Sequence, residues 1–362
     1  MDDRFFRIPS GCGISGIMSK DRKFFSGENI IKSIHSMIDR GNGLGSGYAG
    51  YGIYPEFKQY WCFHLMYEEP EARKMVEEYL KEKFEMIHSE PIPVKNVKTL
   101  SFIPILWRYF LDTRQTSEEY ETFSEEDCIV QAVMFINTHI KKAFVFSSGK
   151  NMGIFKGVGH PDEIGEFYKI YDYKGYMWIA HNRFPTNTVG WWGGAHPFGL
   201  LDWAVVHNGE ISSYGINRRY LENSGYTCTL FTDTEVIAYL FDLLGRKHHL
   251  DFETISSILS APFWFQIEKC ENQEKKKLSK ILRIIYGSAL INGPFGIIVA
   301  KSDCMIGLTD RIKLRPLVAG EDDDFYYIAS EESAIRVVSK NIKNIFNAEA
   351  GKPVIFRTNG KS

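Results

Sequence analysis

Cys12 stands in SGCGISGI, with eleven residues before it in a chain of 362. Cleavage of the Gly11–Cys12 bond would make it the first residue, and its own α-amino group, with a pKa of roughly 7.7 to 8.0, would then serve as its base. One residue would supply both nucleophile and proton acceptor. Cleaving a carboxamide also needs donors for the oxyanion of the tetrahedral intermediate. The segment VVHNGEI offers them, because Asn208 and Gly209 at a strand end can present a side-chain amide and an open backbone N–H to one oxygen. A free amino-acid substrate carries an α-carboxylate and an α-ammonium group, which call for a bidentate cation and a fixed anion. Arg183, after the apolar strand MWIAHN, and Asp233, at a helix start, are candidates. Each of the four features has a plain structural alternative: a buried thiol, an asparagine-glycine turn, a strand-end arginine in an ion pair and a helix cap.

Composition bounds the rest. With 44% hydrophobic and 24% charged residues, the chain is an ordinary globular one with material for one large core or two smaller domains. A net charge of -2 with both signs interspersed leaves no electrostatic footprint for nucleic acid or an anionic membrane. The one basic run, EKKKLSK near Lys275, reads as a solvated helix face. MDDRFFRIPSG lacks the apolar core of a secretory signal and no stretch reaches bilayer-spanning length, so a cytoplasmic protein is expected. Cys12, Cys62, Cys128, Cys228, Cys270 and Cys304 lack the paired spacing of a zinc or iron-sulfur site and read as reduced thiols. His160, His248 and His249 imply no metal.

The elements that must position these groups follow from periodicity. After Cys12 a short apolar strand runs to about Met18, and GENIIKSIHSMIDR has helical spacing. GNGLGSGYAGYGIY lacks the lysine and strand-to-helix context of a phosphate loop. Its glycines instead permit unusual backbone angles near an active site, with a strand over Tyr48 to Tyr54. From 57 to 148 the order is βαββαβ, the split arrangement of a ferredoxin-like unit, read as an insertion whose sheet stays apart from the rest. The polar piece Thr113 to Asp127 within it reads as an exposed loop. Beyond it, YMWIAHNRF and DWAVVHNGEI are strands ending in polar residues, TDTEVIAYLFDLLG is a capped helix, and further strands follow to PVIFRT. The mixture predicts a layered α+β fold.

As an ordered set, CGISGI, DRGNGLGSG, HNRFPTNT, AHPF, VVHNGEI, TDTEV, GPFGIIVA, LTDRIKLRPLVAG and YYIASEESA resemble the class II glutamine amidotransferases, the N-terminal-nucleophile glutaminases. The resemblance covers nearly everything except residues 1–11 and the insertion. Within the family, HNRFPTNT with WWGGAHPF and VVHNGEI is most similar to the amidotransferase part of glutamate synthase, particularly its separate-subunit form.

The resemblance implies a four-layer αββα sandwich spanning 12–362, decorated by the ferredoxin-like insertion at 57–148 and preceded by a propeptide at 1–11. It assigns Cys12 as nucleophile, Asn208 and Gly209 to the oxyanion hole, Arg183 to the substrate carboxylate and Asp233 to its ammonium. It places Phe184 and Thr186 in the glutamine pocket. His207 reads as a packed strand-end residue, Trp191 and Trp192 as packing aromatics, and Asp310 with Arg315 as a structural ion pair. Glutamine would give glutamate and ammonia through a glutamyl thioester, with no cofactor in this chain. Because the chain stops soon after AGKPVIFRTNG, the ammonia acceptor is expected on a separate synthase subunit carrying FMN and iron-sulfur clusters. A free-standing amidase and a non-catalytic regulatory module retaining the fold are the alternatives.

Overall fold

A computed structural model describes residues 11–113, 124–185 and 190–359. Residues 1–10, most of the polar loop between 113 and 127, and Thr186 lie outside the described residues. The main body is built on two antiparallel sheets. Seven strands run in the order Asn344–Asn347, Val318–Glu321, Phe325–Ala329, Gly13–Ser19, Met177–Asn182, Ser46–Tyr51 and Met152–Gly157. Five more run Phe198–Leu200, Trp203–Gly209, Phe295–Lys301, Cys304–Thr309 and Val354–Arg357. Helices Glu28–His35 and Pro161–Phe167 cover the first sheet, and Asp233–Asp242 covers the second, giving four αββα layers. This is the layered α+β sandwich that the resemblance implies.

The strands read as continuous apolar runs because both of their faces are covered. In Trp203–Gly209, Ala204 and Val206 pack toward the other sheet, while Trp203 and Val205 pack toward the helix through Val236, Ile237 and Phe241. The sheets approach closely at Gly16. A Cβ there would come 2.6 Å from Met305 Sδ, so the opposing side chains fill the space a side chain would need. On its other face the same strand holds helix Glu28–His35 through a 2.6 Å hydrogen bond between the Ser15 and Ser33 hydroxyls.

Several boundaries differ from the periodicity. The first helix ends at His35, and a separate 3-10 turn, Ile38–Arg40, carries the rest of the predicted span. The strand expected over 48–54 is Ser46–Tyr51. Helix Asp233–Asp242 runs directly into a π-helical turn, Leu243–Lys247, in which Arg246 joins Asp242 to Asp127.

Within 57–148, strands Phe84–Pro91, Ile105–Thr113, Trp61–Tyr67 and Ala143–Ser147 pair in that order, with helices Pro70–Lys83 and Glu125–His139 packed on one side. In sequence numbering this order is 2-3-1-4, the ferredoxin-like pattern. Among the described residues the sheet shares no strand pairing with either of the others. Its second face is nonetheless buried. Cys62, Met66, Phe110 and Phe146 join the core that holds Ile154 and Phe155 of the seven-stranded sheet. Polar contacts close the same seam: His64 donates from Nδ1 to the Ile154 carbonyl at 2.8 Å, and its Nε2 meets the Tyr54 hydroxyl at 2.9 Å. Burial pushes this imidazole down to about 3, so it stays neutral.

Because Phe110 stacks on Phe57 at 4.1 Å and is buried on this seam, Phe110→Ala is expected to cost about 3 to 5 kcal/mol. Denaturant unfolding should show one shared transition at lower midpoint. An early separate transition in the variant would show that the sheet folds independently of the sandwich.

Candidate active site

Cys12 immediately precedes the first strand, and the register of that strand decides what it meets. Gly13 pairs with Asn182, which brings Cys12 alongside Arg183 and Phe184 at the end of the neighbouring strand. The Phe184 N–H donates to Cys12 Sγ at 3.3 Å, and Arg40 Nε donates to the Cys12 carbonyl at 3.2 Å. Burial of the sulfur pushes the thiol pKa up, opposed by the Phe184 N–H and the Arg183 and Arg315 charges. Cys12 is therefore a thiol at neutral pH and needs a base to become a nucleophile.

The glycine-rich segment holds Arg183 by its backbone. The Arg183 N–H donates to the Gly45 carbonyl at 2.9 Å and the Asn42 N–H to the Arg183 carbonyl at 3.2 Å. Gly45, at φ +144°, passes so near that a Cβ would lie 3.1 Å from Arg183 Cδ. Arg183 as a whole is 4% exposed, and burial lowers its pKa against the opposing pull of Cys12 and Asp233.

Asn208 and Gly209 end the strand Trp203–Gly209 on the same rim. Both polar atoms of the Asn208 amide are buried without a hydrogen-bond partner among the described residues, an expensive arrangement unless something else is to be bound. Its Oδ1 lies 3.7 Å from where a Cβ on Gly11 would project. Gly209 has φ +151°, and a Cβ would collide with the Pro294 carbonyl, so the position admits only glycine.

The helix-cap reading of Asp233 fails on geometry. Thr232 is the cap, its hydroxyl accepting from the Glu235 N–H at 3.2 Å. The Asp233 carboxylate points elsewhere, accepting from the Ile211 N–H at 3.0 Å and lying 3.5 Å from His207 Nδ1. Its pKa is lowered: burial alone would raise it, and His207 with the Ile211 N–H outweighs that. Cys12, Arg183, Phe184, Gly209 and Asp233 line one cavity of about 210 Å³, together with Tyr214 and Phe231.

Other expectations are corrected. Asp310 and Arg315 form no ion pair among the described residues. The Asp310 carboxylate instead accepts from the Phe295, Ile312 and Leu314 N–H groups at 3.3, 3.0 and 2.8 Å. Arg315 turns toward the Gly11–Cys12 junction, its Nη1 3.6 Å from a Cβ position on Gly11. Its conventional reading as half of a local charge pair hid that role. His207 is packed, as expected, yet it also touches Asp233. Trp191 meets Phe144 edge-on and Trp192 meets Phe167, and both line a separate apolar cavity beside Phe102 and Ile103. No group of metal-ligating side chains occurs among the described residues, and no helix among them is long and apolar enough to cross a membrane.

Beneath the cavity lies a polar layer that the motifs did not announce. His181 and His196 stack at 4.1 Å, and Lys156 is fully buried beside them, donating to the Gly193 carbonyl at 2.9 Å and lying over the Phe198 ring. Burial pushes Lys156 down to about 7 against the attraction of Glu235. It pushes Glu235 up to about 7 against the Thr229 and Leu230 N–H groups that its carboxylate accepts. Lys156 occupies an alternating strand position, where a single lysine carries no signal of burial.

The family described as class-II glutamine amidotransferases matches residues 67–248, just over half of the chain. The chain belongs to the class-II glutamine amidotransferases. The matched span holds Arg183, Asn208, Gly209 and Asp233, and Cys12 precedes it. A protein of undescribed function from Archaeoglobus fulgidus is 50% identical over 96% of this chain and 92% of its own length. A provisionally named glutamine amidotransferase of Methanothermobacter thermautotrophicus is 27% identical over 90% of this chain and 93% of its own. The amidophosphoribosyltransferase of Methanocaldococcus jannaschii is 26% identical over 52% of this chain, which matches 35% of that protein. Among solved structures, the glutamine phosphoribosylpyrophosphate amidotransferase of B. subtilis has a TM-score of 0.48 at 17% identity, covering 96% of this chain and about half, 48%, of that one.

Gly209→Ala is expected to cost about 2 to 4 kcal/mol, from strain at positive φ and collision with Pro294. Gly225→Ala is the control, because φ there is +87° but nothing lies within 4 Å. Thermal unfolding should show a smaller loss for Gly225→Ala, isolating the steric part of the Gly209 effect.

Proposed function

We propose that this chain hydrolyses the side-chain amide of glutamine through Cys12, once the Gly11–Cys12 bond has been cleaved. The observation that carries the reading is Asn208, whose buried amide has no partner among the described residues and lies beside the Gly11–Cys12 junction, next in the chain to Gly209 of the cavity lined by Cys12, Arg183 and Asp233. Among the described residues, Cys12 Sγ has hydrogen bonds only to Phe184. With no histidine or carboxylate in contact and a raised thiol pKa, the base is the residue's own α-amine, which an intact peptide bond would abolish.

In this reading Arg183 binds the α-carboxylate in a bidentate pair and Asp233 binds the α-ammonium. Phe184 lines the pocket. The amine takes the Cys12 proton as sulfur attacks the amide carbon, and the carbonyl oxygen becomes an oxyanion held by Asn208 Nδ2 and the Gly209 N–H. Collapse of the intermediate expels ammonia, which leaves with the proton the amine had taken. Water then hydrolyses the thioester to glutamate.

The acceptor follows from the motif set HNRFPTNT, WWGGAHPF and VVHNGEI. We read the chain as the amidotransferase of a glutamate synthase, passing ammonia to a separate synthase subunit that carries FMN and iron-sulfur clusters. Docking of that subunit would complete the pocket and exclude water.

Intact mass should show a mature chain beginning at Cys12. Full glutamine hydrolysis by a protein that retains Met1 would overturn the mechanism. Cys12→Ala should abolish hydrolysis, and Asn208→Ala should lower kcat by about 10²- to 10³-fold with little change in KM.

Coupling is tested by glutamine turnover with and without the synthase subunit. A marked rise on addition is expected, and equal rates would favour a free-standing amidase.

A further inference from the structure

The Thr234 hydroxyl lies in the first turn of helix Asp233–Asp242, with no exposed surface, at the meeting point of three polar side chains. Its Oγ1 is 2.6 Å from His196 Nε2, 3.2 Å from His207 Nδ1 and 3.3 Å from Asp233 Oδ1. A hydroxyl has one proton to give and two lone pairs to receive. A charged carboxylate only accepts, so the Thr234 proton points to Asp233. Both imidazoles must then donate, which places the proton on His196 Nε2 and on His207 Nδ1.

The remaining contacts agree with that assignment. His181 Nε2 donates to the His207 carbonyl at 3.0 Å, fixing the backbone next to Asn208. His181 also stacks flat on His196, with 13° between the rings. The other ring nitrogens, Nδ1 of His181 and His196 and Nε2 of His207, are buried without partners, as bare acceptors with no donor in reach would be. The Asp233 carboxylate is thus held by the Ile211 N–H, the Thr234 hydroxyl and His207. Its orientation toward the cavity is set from behind by the helix, by His207 on its strand and, through Thr234, by His196.

We propose that Thr234 is a positioning residue that, by bridging His196 and His207, aims the Asp233 carboxylate at the α-ammonium of the substrate and so sets the preference for α-amino acids over des-amino amides. The inference rests on the reading of Asp233 as the ammonium site. Thr234 touches no reacting atom and acts only through its neighbour. Removing its hydroxyl leaves the buried His196 N–H without an acceptor, leaves His207 Nδ1 only the Asp233 carboxylate 3.5 Å away, and lets the carboxylate turn.

The test compares glutamine with glutaric acid monoamide, which is glutamine without its α-amino group. Thr234→Val keeps the branched shape and removes the hydroxyl. KM for glutamine should rise about tenfold with kcat nearly unchanged, while kcat/KM for the des-amino amide stays where it was. Thr234→Ser should restore the discrimination. Equal losses on both substrates, or no loss on either, would overturn the proposal.

Asp233→Asn separates this inference from the reading beneath it. If that variant leaves the ratio between the two substrates unchanged, the ammonium site itself is wrongly assigned. If it collapses the ratio and Thr234→Val does not, only the role of Thr234 fails. A measurement on the unaltered protein needs no variant to fold: 15N shifts of the imidazoles should show the Nε2–H tautomer for His196 and a protonated Nδ1 for His207. A bare His196 Nε2 would also overturn the proposal.

Discussion

The antiparallel register of Gly13 against Asn182 is the constraint on which the site depends. It joins the chain start to a strand far along the sequence and places Cys12 Sγ under the Phe184 N–H. A slip of one residue would turn each side chain to the opposite face. Such a slip is blocked on both sides, because Gly16 fits under Met305 and Ile179 while Ser15 is tied to Ser33. The second sheet is held as firmly. Asn208 pairs with Gly296 and Gly209 with Phe295, and the turn beyond them is closed by Glu210 donating to the Pro294 carbonyl. Two rigid strand ends therefore face each other, and the groups on them need little reorganisation to meet a substrate.

Between those strand ends and the helix Asp233–Asp242 lies an unusual amount of buried polarity. His181, His196, His207, Lys156 and Glu235 all have at most 2% exposed surface except His196, at 6%. Such groups are costly unless bonded. Here they are linked through Thr234, the Gly193 carbonyl and the N–H groups of Thr229 and Leu230. The layer spends stability to fix direction. Its members surround the two charged groups of the cavity, Arg183 and Asp233.

The insertion sheet has a different relation to the body. It keeps its own strand order and its own helices, yet its second face is closed by Tyr54, Phe57, Ile154 and Phe155. Arg108 ties the seam by donating to the hydroxyls of Tyr54 and Tyr173, both at 3.2 Å, and to Glu90. A sheet buttressed in this way supports the strand Met152–Gly157 that carries Lys156 into the polar layer. Its helices, Pro70–Lys83 and Glu125–His139, have largely polar outer faces in which Met75 and Phe135 are exposed.

Much was legible in the sequence by itself. Alternating and helical periodicity located the strand before Arg183, the strand ending in Asn208 and Gly209, the helix at Asp233 and the βαββαβ order, because these signals are local and one face of each element must be apolar. Residue chemistry nominated Cys12, Arg183, Asn208 and Asp233 before any of them had a neighbour. Only the tertiary structure decided what each of them faces. Whether Asp233 capped its own helix turned on the competing Thr232 hydroxyl, and the direction of Arg315 turned on loops that meet only after both sheets stack. Thr234, His196 and Lys156 were silent for the same reason. A hydroxyl, an imidazole or an amine acquires a direction and a proton from atoms brought beside it by folding, and its place in the chain records neither.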